Sequence, residues 1–249
     1  MEEPKRIQYS SDNPVLNNPY LEPKFHYDTD VDGNVDYSTI INGRRPYGYD
    51  ISIVPQKAKL VKALFTQEDF SSANPNSDFI NGIRKEVKTW RTAGYPKASR
   101  ITKELLDFWF TNSQRLPQQR LFFCQQEAVE TAVWLNEIAD KDANMGNFYL
   151  RELQDRRHTV SNDDDDILPR TAFKMATGTG KTVVMAMLIL YHYLNKKANP
   201  MDIRYADHFL VCAPGITIRD RLGVLHLDNS QRSNNYDRSD YYHQRGLIP

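Results

Sequence analysis

The sequence predicts an α/β fold built around a parallel sheet, preceded by a helical and irregular N-terminal region. An apolar run at residues 171–176 leads through a glycine-rich turn into an apolar helix candidate at residues 182–195, and a second apolar run follows at residues 208–213. A strand, a helix and a strand in this order form the βαβ unit of a parallel sheet. Upstream of this unit, apolar residues recur at the spacing of helices.

The composition is that of a soluble globular protein. The chain has 249 residues, which is enough for one large domain or two modest ones. Lysine plus arginine and aspartate plus glutamate both number 32. The net charge therefore gives no sign of a polyanionic partner, and any basic surface must be local.

The chain shows no signal for export or membrane insertion. Residues 1–6 lack the apolar segment of a signal peptide. The longest apolar run, residues 183–191, has nine residues, whereas a membrane span needs about 20. We therefore expect a cytoplasmic protein with no membrane partner. Cys124 and Cys212 lie far apart beside apolar residues, and we expect both to be reduced thiols in the core.

Residues 1–60 are predicted to form an irregular N-terminal arm that contains a β-hairpin. The stretch is rich in Asn, Pro, Tyr and Asp, and turn residues at 32–34 separate two short alternating stretches.

Residues 61–168 are predicted to be a helical region that ends in an acidic linker. The first helix has an N-cap candidate at Asn76 or Ser77 and a stop at residues 94–96. Its apolar residues at helical spacing are Ile80, Ile83, Val87 and Trp90. Two further helices are marked by Leu105, Leu106 and Trp109, and by Ala128, Ala132 and Leu135. The linker ends in four aspartates at residues 163–166, which we interpret as a hydrated loop.

Seven basic residues and one acidic residue fall between positions 84 and 103. One interpretation is a contact with a DNA backbone. The other, which we favour, is a solvated helix face with Trp90 in the core.

Residues 169–249 are predicted to contain a phosphate-binding loop at residues 175–182. The pattern G-x-x-x-x-G-K-[ST] is met except that Met175 stands at the first glycine position. Gly178 and Gly180 can take backbone angles that other residues resist, so that successive N–H groups point inward and bind an anion. The nucleotide-binding residues predicted in this loop are Thr177, Gly178, Thr179, Gly180, Lys181 and Thr182.

The last two residues of the loop have separate chemical roles in this prediction. Lys181 can reach the β- and γ-phosphates of ATP, and the Thr182 hydroxyl can bind Mg²⁺. The predicted cofactors are therefore ATP and Mg²⁺. A chance glycine-threonine turn before a core helix is the alternative, and the order of strand, loop and helix argues against it.

The loop resembles motif I of superfamily 2 helicases and translocases, in which the first glycine is commonly absent. Two further stretches are similar to motifs of these proteins: residues 120–128 to a segment with a nucleotide-reading glutamine, and residues 209–222 to motif Ia. Together with the N-terminal stretches 18–24 and 42–46, they resemble the type III restriction enzyme R-subunit (Res-like) family.

The resemblance implies roles for residues outside the loop. Gln125 would hydrogen-bond the adenine edge, with Gln126 as an open alternative; a solvent-facing helix residue is the structural alternative for Gln125. Motif Ia would contact nucleic acid through Pro214, Gly215, Thr217 and Arg219. An ordinary turn and a solvated helix face are the alternatives for these residues.

The sequence departs from the family in having no recognisable acidic box that would hold Mg²⁺ and position water. Residues 163–166 precede the loop without an apolar strand, and we interpret residues 224–228 as the end of the helix after motif Ia. The second motor lobe is not recognisable either. The resemblance thus implies a partial first motor lobe of a P-loop (RecA-like) fold, which binds nucleotide weakly and hydrolyses almost none.

The function implied is that of the ATP-binding N-terminal part of an ATP-dependent DNA translocase or helicase subunit of a restriction endonuclease, acting on double-stranded DNA. The alternative is a non-catalytic nucleotide- or DNA-binding fragment of a truncated helicase. The implied partners are DNA and either a modification (methyltransferase) subunit or the C-terminal motor lobe.

Overall fold

The computed structural model describes residues 15–29, 35–47, 75–141, 145–158, 171–227 and 239–249. The turn predicted at residues 32–34 and the aspartates at residues 163–166 lie outside these ranges. No helix in the described part of the chain has both the length and the apolar character needed to cross a bilayer.

The N-terminal arm contains two antiparallel strands, β1 (Phe25–Thr29) and β2 (Val35–Asn42). Their register pairs Phe25 with Asn42 and shifts between Tyr27 and Asp28. Ile40 is 4% exposed, while most of β2 is open to solvent. The β1–β2 pair is therefore buried around Ile40 and open to solvent at the start of β2.

Helix α1 spans Pro75–Thr92 and buries Ile83, Val87 and Trp90 as its spacing predicts. The N-cap prediction was wrong, because the helix begins at Pro75 and residues 76 and 77 lie inside it. The fixed φ of proline suits the first helical position, so the start falls earlier than the polar residues suggest. The predicted stop is confirmed, since Gly94 takes a left-handed φ of 76°.

The remaining upstream helices follow in short succession. Helix α2 (Arg100–Leu106) runs into a π-helical turn at Asp107–Thr111, and a 3₁₀ turn follows at Pro117–Gln119. Helix α3 (Phe123–Val133) runs into a π-helical turn at Trp134–Ile138 and a 3₁₀ turn at Ala139–Lys141. Helix α4 spans Met145–His158.

The C-terminal part of the chain contains α5 (Lys181–Ala198), α6 (Ile216–Arg221) and α7 (Tyr241–Gln244). The apolar helix predicted after the glycine-rich turn is confirmed as α5. A 3₁₀ turn at Leu222–Leu225 follows α6, so the start of the run at 224–228 does end this helical segment, as predicted.

The core lies between the upstream helices and α5. Val87, Leu106, Val129 and Val133 from the first three helices are fully buried, and so is Met187 of α5. Because these residues belong to one cluster, the segments predicted as 61–168 and 169–249 share a hydrophobic core in the described part of the chain.

The parallel sheet is not formed by the described residues, and this part of the fold prediction is not supported. Residues 171–176 and 208–213 belong to no strand there, and the sheet that the structure shows is the β1–β2 pair. Phe173 and Met175 still pack against the core at the alternate spacing of extended chain. Leu210, in contrast, is 89% exposed. An apolar run favours extended backbone, but a ladder also needs neighbouring strands to supply its hydrogen bonds.

Candidate nucleotide-binding site

The glycine-rich turn forms a compact loop directly before α5. Gly178 and Gly180 have φ angles of 79° and 78°, in the left-handed region that favours glycine. Gly180 is the N-cap of α5, and its carbonyl accepts a hydrogen bond from the Val183 N–H at 2.9 Å. The N-terminal end of this long helix, with its partial positive charge, therefore opens at the loop, which is the arrangement that binds phosphate.

The Lys181 side chain folds back over the loop. Its ammonium donates hydrogen bonds to the carbonyl oxygens of Met175 at 2.9 Å and Ala176 at 2.8 Å. The Thr179 hydroxyl donates to the same Ala176 oxygen at 2.7 Å. Because Lys181 is exposed, its charge can turn from these neutral carbonyls to an anion without crossing the core.

Helix α5 holds the loop in a fixed position because one of its faces is buried. Val183, Val184, Met187 and Tyr191 lie on its buried face at helical spacing, and each is less than 5% exposed. Packing of this face holds the first turn of the helix, and thus Lys181 and Thr182, in one position.

A buried polar cluster fixes the far end of α5. The Asn195 amide donates to the Thr102 hydroxyl at 3.0 Å and accepts from the Ser99 hydroxyl at 2.6 Å. The fully buried Glu137 carboxylate accepts from the Thr102 hydroxyl at 2.8 Å and from the Tyr191 hydroxyl at 3.3 Å. Burial raises the pKa of Tyr191. The cluster thus connects α5 with α2 and the π-helical turn after α3.

Gln125 connects α3 to the phosphate loop. Its Oε1 accepts from the Phe122 N–H at 2.8 Å, and its Nε2 donates to the Thr179 carbonyl at 3.0 Å. The residue is only 4% exposed. The solvent-facing alternative for Gln125 is therefore wrong. Both ends of its amide are bound within the protein, so it would have to release Thr179 to hydrogen-bond a base.

Gln126 has a different position, on the wall of an open pocket. This cavity of about 370 Å³ is also lined by Tyr20, Arg120 and the turn at residues 109–113. The Arg120 guanidinium stacks over the Tyr20 ring at 4.2 Å from its centroid. A planar cation on an aromatic ring is a surface on which nucleic-acid bases stack.

The C-terminal residues contact two of the residues that line this pocket. The Trp109 indole N–H donates to the Leu247 carbonyl at 2.8 Å, and Leu247 is fully buried. Arg115, also a lining residue, donates to the carbonyls of Arg245 at 2.7 Å and Gly246 at 2.9 Å. These contacts hold the turn at residues 109–113 in place.

Buried charges hold α3 against α1. Arg91 of α1 donates through Nε to the Glu130 carboxylate at 2.7 Å, and Tyr95 donates to the same carboxylate at 2.7 Å. Burial and the neighbouring Glu130 charge raise the pKa of Tyr95. Gln126 donates to Glu130 at 2.8 Å, so this network also fixes the amide at the pocket.

The basic stretch between residues 84 and 103 is largely occupied by contacts within the protein. Arg91 is bound to Glu130, Lys88 lies 3.0 Å from Glu22, and Arg100 lies 2.8 Å from Glu104. Trp90 is 5% exposed, as the favoured interpretation predicts.

The residues predicted for nucleic acid lie on an open part of the surface. Gly215 is the N-cap of α6, and Pro214, Thr217 and Arg219 are exposed. The Arg219 guanidinium contacts Asp220 at 3.1 Å. Their contact with nucleic acid stays a prediction. Cys212, just before them, is exposed, so the prediction that it lies in the core was wrong.

The loop residues fit a Mg²⁺-bound triphosphate. The loop has glycines where its backbone is left-handed, the exposed ammonium of Lys181, and the half-buried Thr182 on the first turn of α5. Among the described residues there is no group of three or more His, Cys, Asp or Glu side chains that could hold a metal by themselves.

The loop and the helix that follows it define a nucleotide-binding domain of the P-loop class. Residues 118–241 match the family model described as "Type III restriction enzyme, res subunit". Over this span the chain belongs to that family of P-loop helicase-type ATPases. No curated protein and no solved structure matches the chain.

Sequence reasoning missed the pocket residues Tyr20 and Arg120. Tyr20 stands in an irregular stretch with no periodic pattern, and the only local signal was its position in the family-like segment 18–24. Its proximity to α3 depends on a contact across about a hundred residues of chain.

Proposed function

We propose that this chain binds Mg²⁺-ATP and is the ATP-binding N-terminal part of an ATP-dependent DNA translocase or helicase subunit of a restriction endonuclease. The observation that supports this most directly is the loop itself. Two left-handed glycines and Lys181 stand at the start of a helix whose other face is buried. The family match over residues 118–241 supports the helicase class.

Each loop residue has a role in this proposal. The backbone N–H groups of residues 177–180 surround the phosphates, and Lys181 leaves the carbonyls of Met175 and Ala176 for the β- and γ-oxygens. When bound, Mg²⁺ neutralises charge on the same phosphates, and Thr182 is the residue that would hold it.

The base is proposed to lie in the pocket lined by Gln126, Tyr20 and Arg120. Gln125 holds the Thr179 carbonyl, while Gln126 is the next residue of α3 and faces the cavity. The Nε2 of Gln126 already donates to Glu130 at 2.8 Å, so Oε1 is the group that this residue would offer to the adenine amino group. Of the two glutamines, Gln126 is the better placed for this contact, and Gln125 supports the loop.

Double-stranded DNA is the proposed polymer partner, contacted through Pro214, Gly215, Thr217 and Arg219. Backbone amides, a threonine hydroxyl and an arginine can hold phosphates without recognising sequence. A modification (methyltransferase) subunit or a C-terminal motor lobe would complete the motor. Turnover requires an acid that positions water and a closing second lobe, so the chain alone should bind ATP and hydrolyse very little.

Titration calorimetry with Mg²⁺-ATP tests the nucleotide site. Lys181→Ala should abolish the binding heat, whereas Lys197→Ala, an exposed lysine on the same helix, should leave it unchanged. Equal binding by the native chain and Lys181→Ala would refute the proposal. It would also fail if the native chain had a helical circular dichroism spectrum and bound no ATP. Rapid turnover by the isolated chain would contradict the proposed need for a second lobe.

A further inference from the structure

The N-terminal arm packs against one face of α1. The Asn81 side chain accepts a hydrogen bond from the Tyr47 N–H at 2.8 Å and donates one to the Tyr47 carbonyl at 3.2 Å. Further along the helix, the Arg84 guanidinium lies over the Tyr47 ring at 5.7 Å from its centroid, and Lys88 lies 3.0 Å from Glu22. Asn81, Arg84 and Lys88 follow one another at helical spacing, so they form a single stripe of α1 that faces the arm.

Arg84 is a half-buried cation that forms no ion pair within the described part of the chain. Its guanidinium contacts the Asn81 side-chain oxygen at 3.5 Å and the Tyr47 ring. Burial lowers the pKa of Arg84, and the neighbouring Arg44 charge lowers it further. Glu127 opposes this shift, but both of its carboxylate oxygens already accept hydrogen bonds from Arg44. A partly desolvated cation beside a like charge is stabilised when an anion approaches it.

Two exposed cations flank this position. Arg45 precedes Tyr47 in the arm by two residues, and Lys85 directly follows Arg84 on α1. Neither of them pairs with an acidic side chain among the residues that the structure describes. We define Arg45, Tyr47, Arg84 and Lys85 as the arm–α1 surface. It carries three positive charges with no carboxylate bound to any of them.

The next acidic residue of α1 lies toward a different helix. Burial and the Glu86 charge raise the pKa of Tyr149 in α4. Gly82, one helical turn before Glu86, has the same tyrosine side chain against it. Glu86 therefore belongs to the face of α1 that packs on α4 and leaves the charges of the arm–α1 surface uncompensated.

We propose that the arm–α1 surface is a further contact for the backbone of double-stranded DNA, in which Arg84 binds a phosphate and Arg45 and Lys85 add attractive charge. This inference rests on the proposed function, because duplex DNA is the polymer partner proposed there. The planar guanidinium of arginine matches a phosphate with two parallel N–H groups. The Arg84 side chain is already held over the Tyr47 ring, so it loses little conformational freedom on binding. Contacts of this kind recognise no base edge, so the affinity should not depend on DNA sequence.

The proposal divides the basic stretch between residues 84 and 103 into two parts. Lys88, Arg91 and Arg100 are each bound to an acidic side chain of the protein. Arg84 and Lys85, at the start of the stretch, have no such partner among the described residues. The interpretation as a DNA contact therefore applies to the start of the stretch, and that of charges satisfied within the protein applies to the three paired residues.

The salt dependence of DNA binding counts the phosphate contacts. Fluorescence anisotropy of a labelled duplex of arbitrary sequence, measured between about 50 and 200 mM salt, gives the slope of the logarithm of affinity against the logarithm of salt concentration. Arg84→Gln should reduce the magnitude of this slope by about 0.9, which corresponds to a roughly eightfold loss of affinity at about 0.1 M salt. Lys85→Gln should change the slope in the same direction.

Two further variants separate a phosphate contact from a general effect of charge or folding. Arg100→Gln removes the same charge from an exposed arginine that is paired with Glu104, so it is the matched control and should leave the slope unchanged. Arg84→Lys keeps the charge and should retain most of the slope. A loss of folding would show in the helical circular dichroism spectrum, and Lys85→Gln, at an exposed position, tests the surface without that risk.

Other outcomes overturn the inference. Native slopes for both Arg84→Gln and Lys85→Gln would exclude the arm–α1 surface, and a reduced slope for Arg219→Gln in the same experiment would leave the proposed contact at residues 214–219 intact. An equal loss for Arg100→Gln would show that net charge, and not this surface, sets the affinity. If the native chain bound no duplex at the lowest salt concentration, the proposed DNA partner would fail, and this inference with it, while calorimetry with Mg²⁺-ATP would still decide the nucleotide site.

Discussion

Replacing Gly180 by alanine should disrupt the contact between α3 and the phosphate loop. Gly180 has a φ of 78°, and a Cβ there would lie 2.1 Å from Nε2 of Gln125. The left-handed backbone costs a residue with a Cβ about 1–2 kcal/mol. Displacing the Gln125 amide leaves a buried hydrogen bond unmade, which costs about 1–3 kcal/mol more. Gly180→Ala should therefore lower the free energy of unfolding by about 2–5 kcal/mol.

Gly178 is the matched control for this experiment. Its φ of 79° gives the same backbone strain, but a Cβ there would meet nothing within 4 Å. Gly178→Ala should therefore cost only the backbone contribution of about 1–2 kcal/mol. The difference between the two variants measures the collision with Gln125.

Urea denaturation followed by circular dichroism measures both variants, alone and combined with Gln125→Ala. If the collision is the cause, Gly180→Ala should cost no more than Gly178→Ala once the Gln125 side chain is removed. Equal losses for the two glycine variants in the native background would refute the reasoning. So would a Gly180→Ala loss that is unchanged when Gln125 is already alanine.

Three further predictions concern α5 and its contacts. Met187→Ala, at a fully buried site, should lower the free energy of unfolding by about 2–5 kcal/mol. Met185→Ala, at a 36% exposed position of the same helix, should change it far less. Equal losses for the two variants would contradict the assignment of Met187 to the buried face of α5. Thr102→Val removes a donor to the buried Glu137 carboxylate and should cost about 1–3 kcal/mol in the same assay, and a neutral result would show that the cluster does not depend on this bond. Burial lowers the pKa of His192 below its ordinary value of 6.5, so its contribution to stability is complete above that pH and is lost as the pH falls toward the lowered pKa. Between about pH 8 and pH 5, the thermal unfolding temperature should thus depend less on pH in His192→Gln than in the native chain. Identical profiles would exclude His192 as a source of the pH dependence of stability.

The sequence alone determined the phosphate loop and the helix after it. Both depend on local requirements: only glycine takes a left-handed φ readily at 178 and 180, and apolar spacing sets which face of α5 is buried. The end of α1, two residues before the left-handed Gly94, was predictable for the same reason. Its start was not, because Pro75 can begin a helix without a polar N-cap.

Only the tertiary structure decided how the rest of the site is arranged. The contact of Gln125 with Thr179, the stacking of Arg120 on Tyr20 and the pair between Arg44 and Glu127 join residues that no local pattern relates, apart from the family resemblance around Gln125. The predicted parallel sheet is not formed by the described residues for the same reason. Apolar runs at residues 171–176 and 208–213 favour extended backbone, but strand pairing also depends on partner strands elsewhere in the chain. Backbone angles and helix faces are set by neighbours in sequence. Ladders, stacked rings and buried ion pairs are set by what the folded chain brings together.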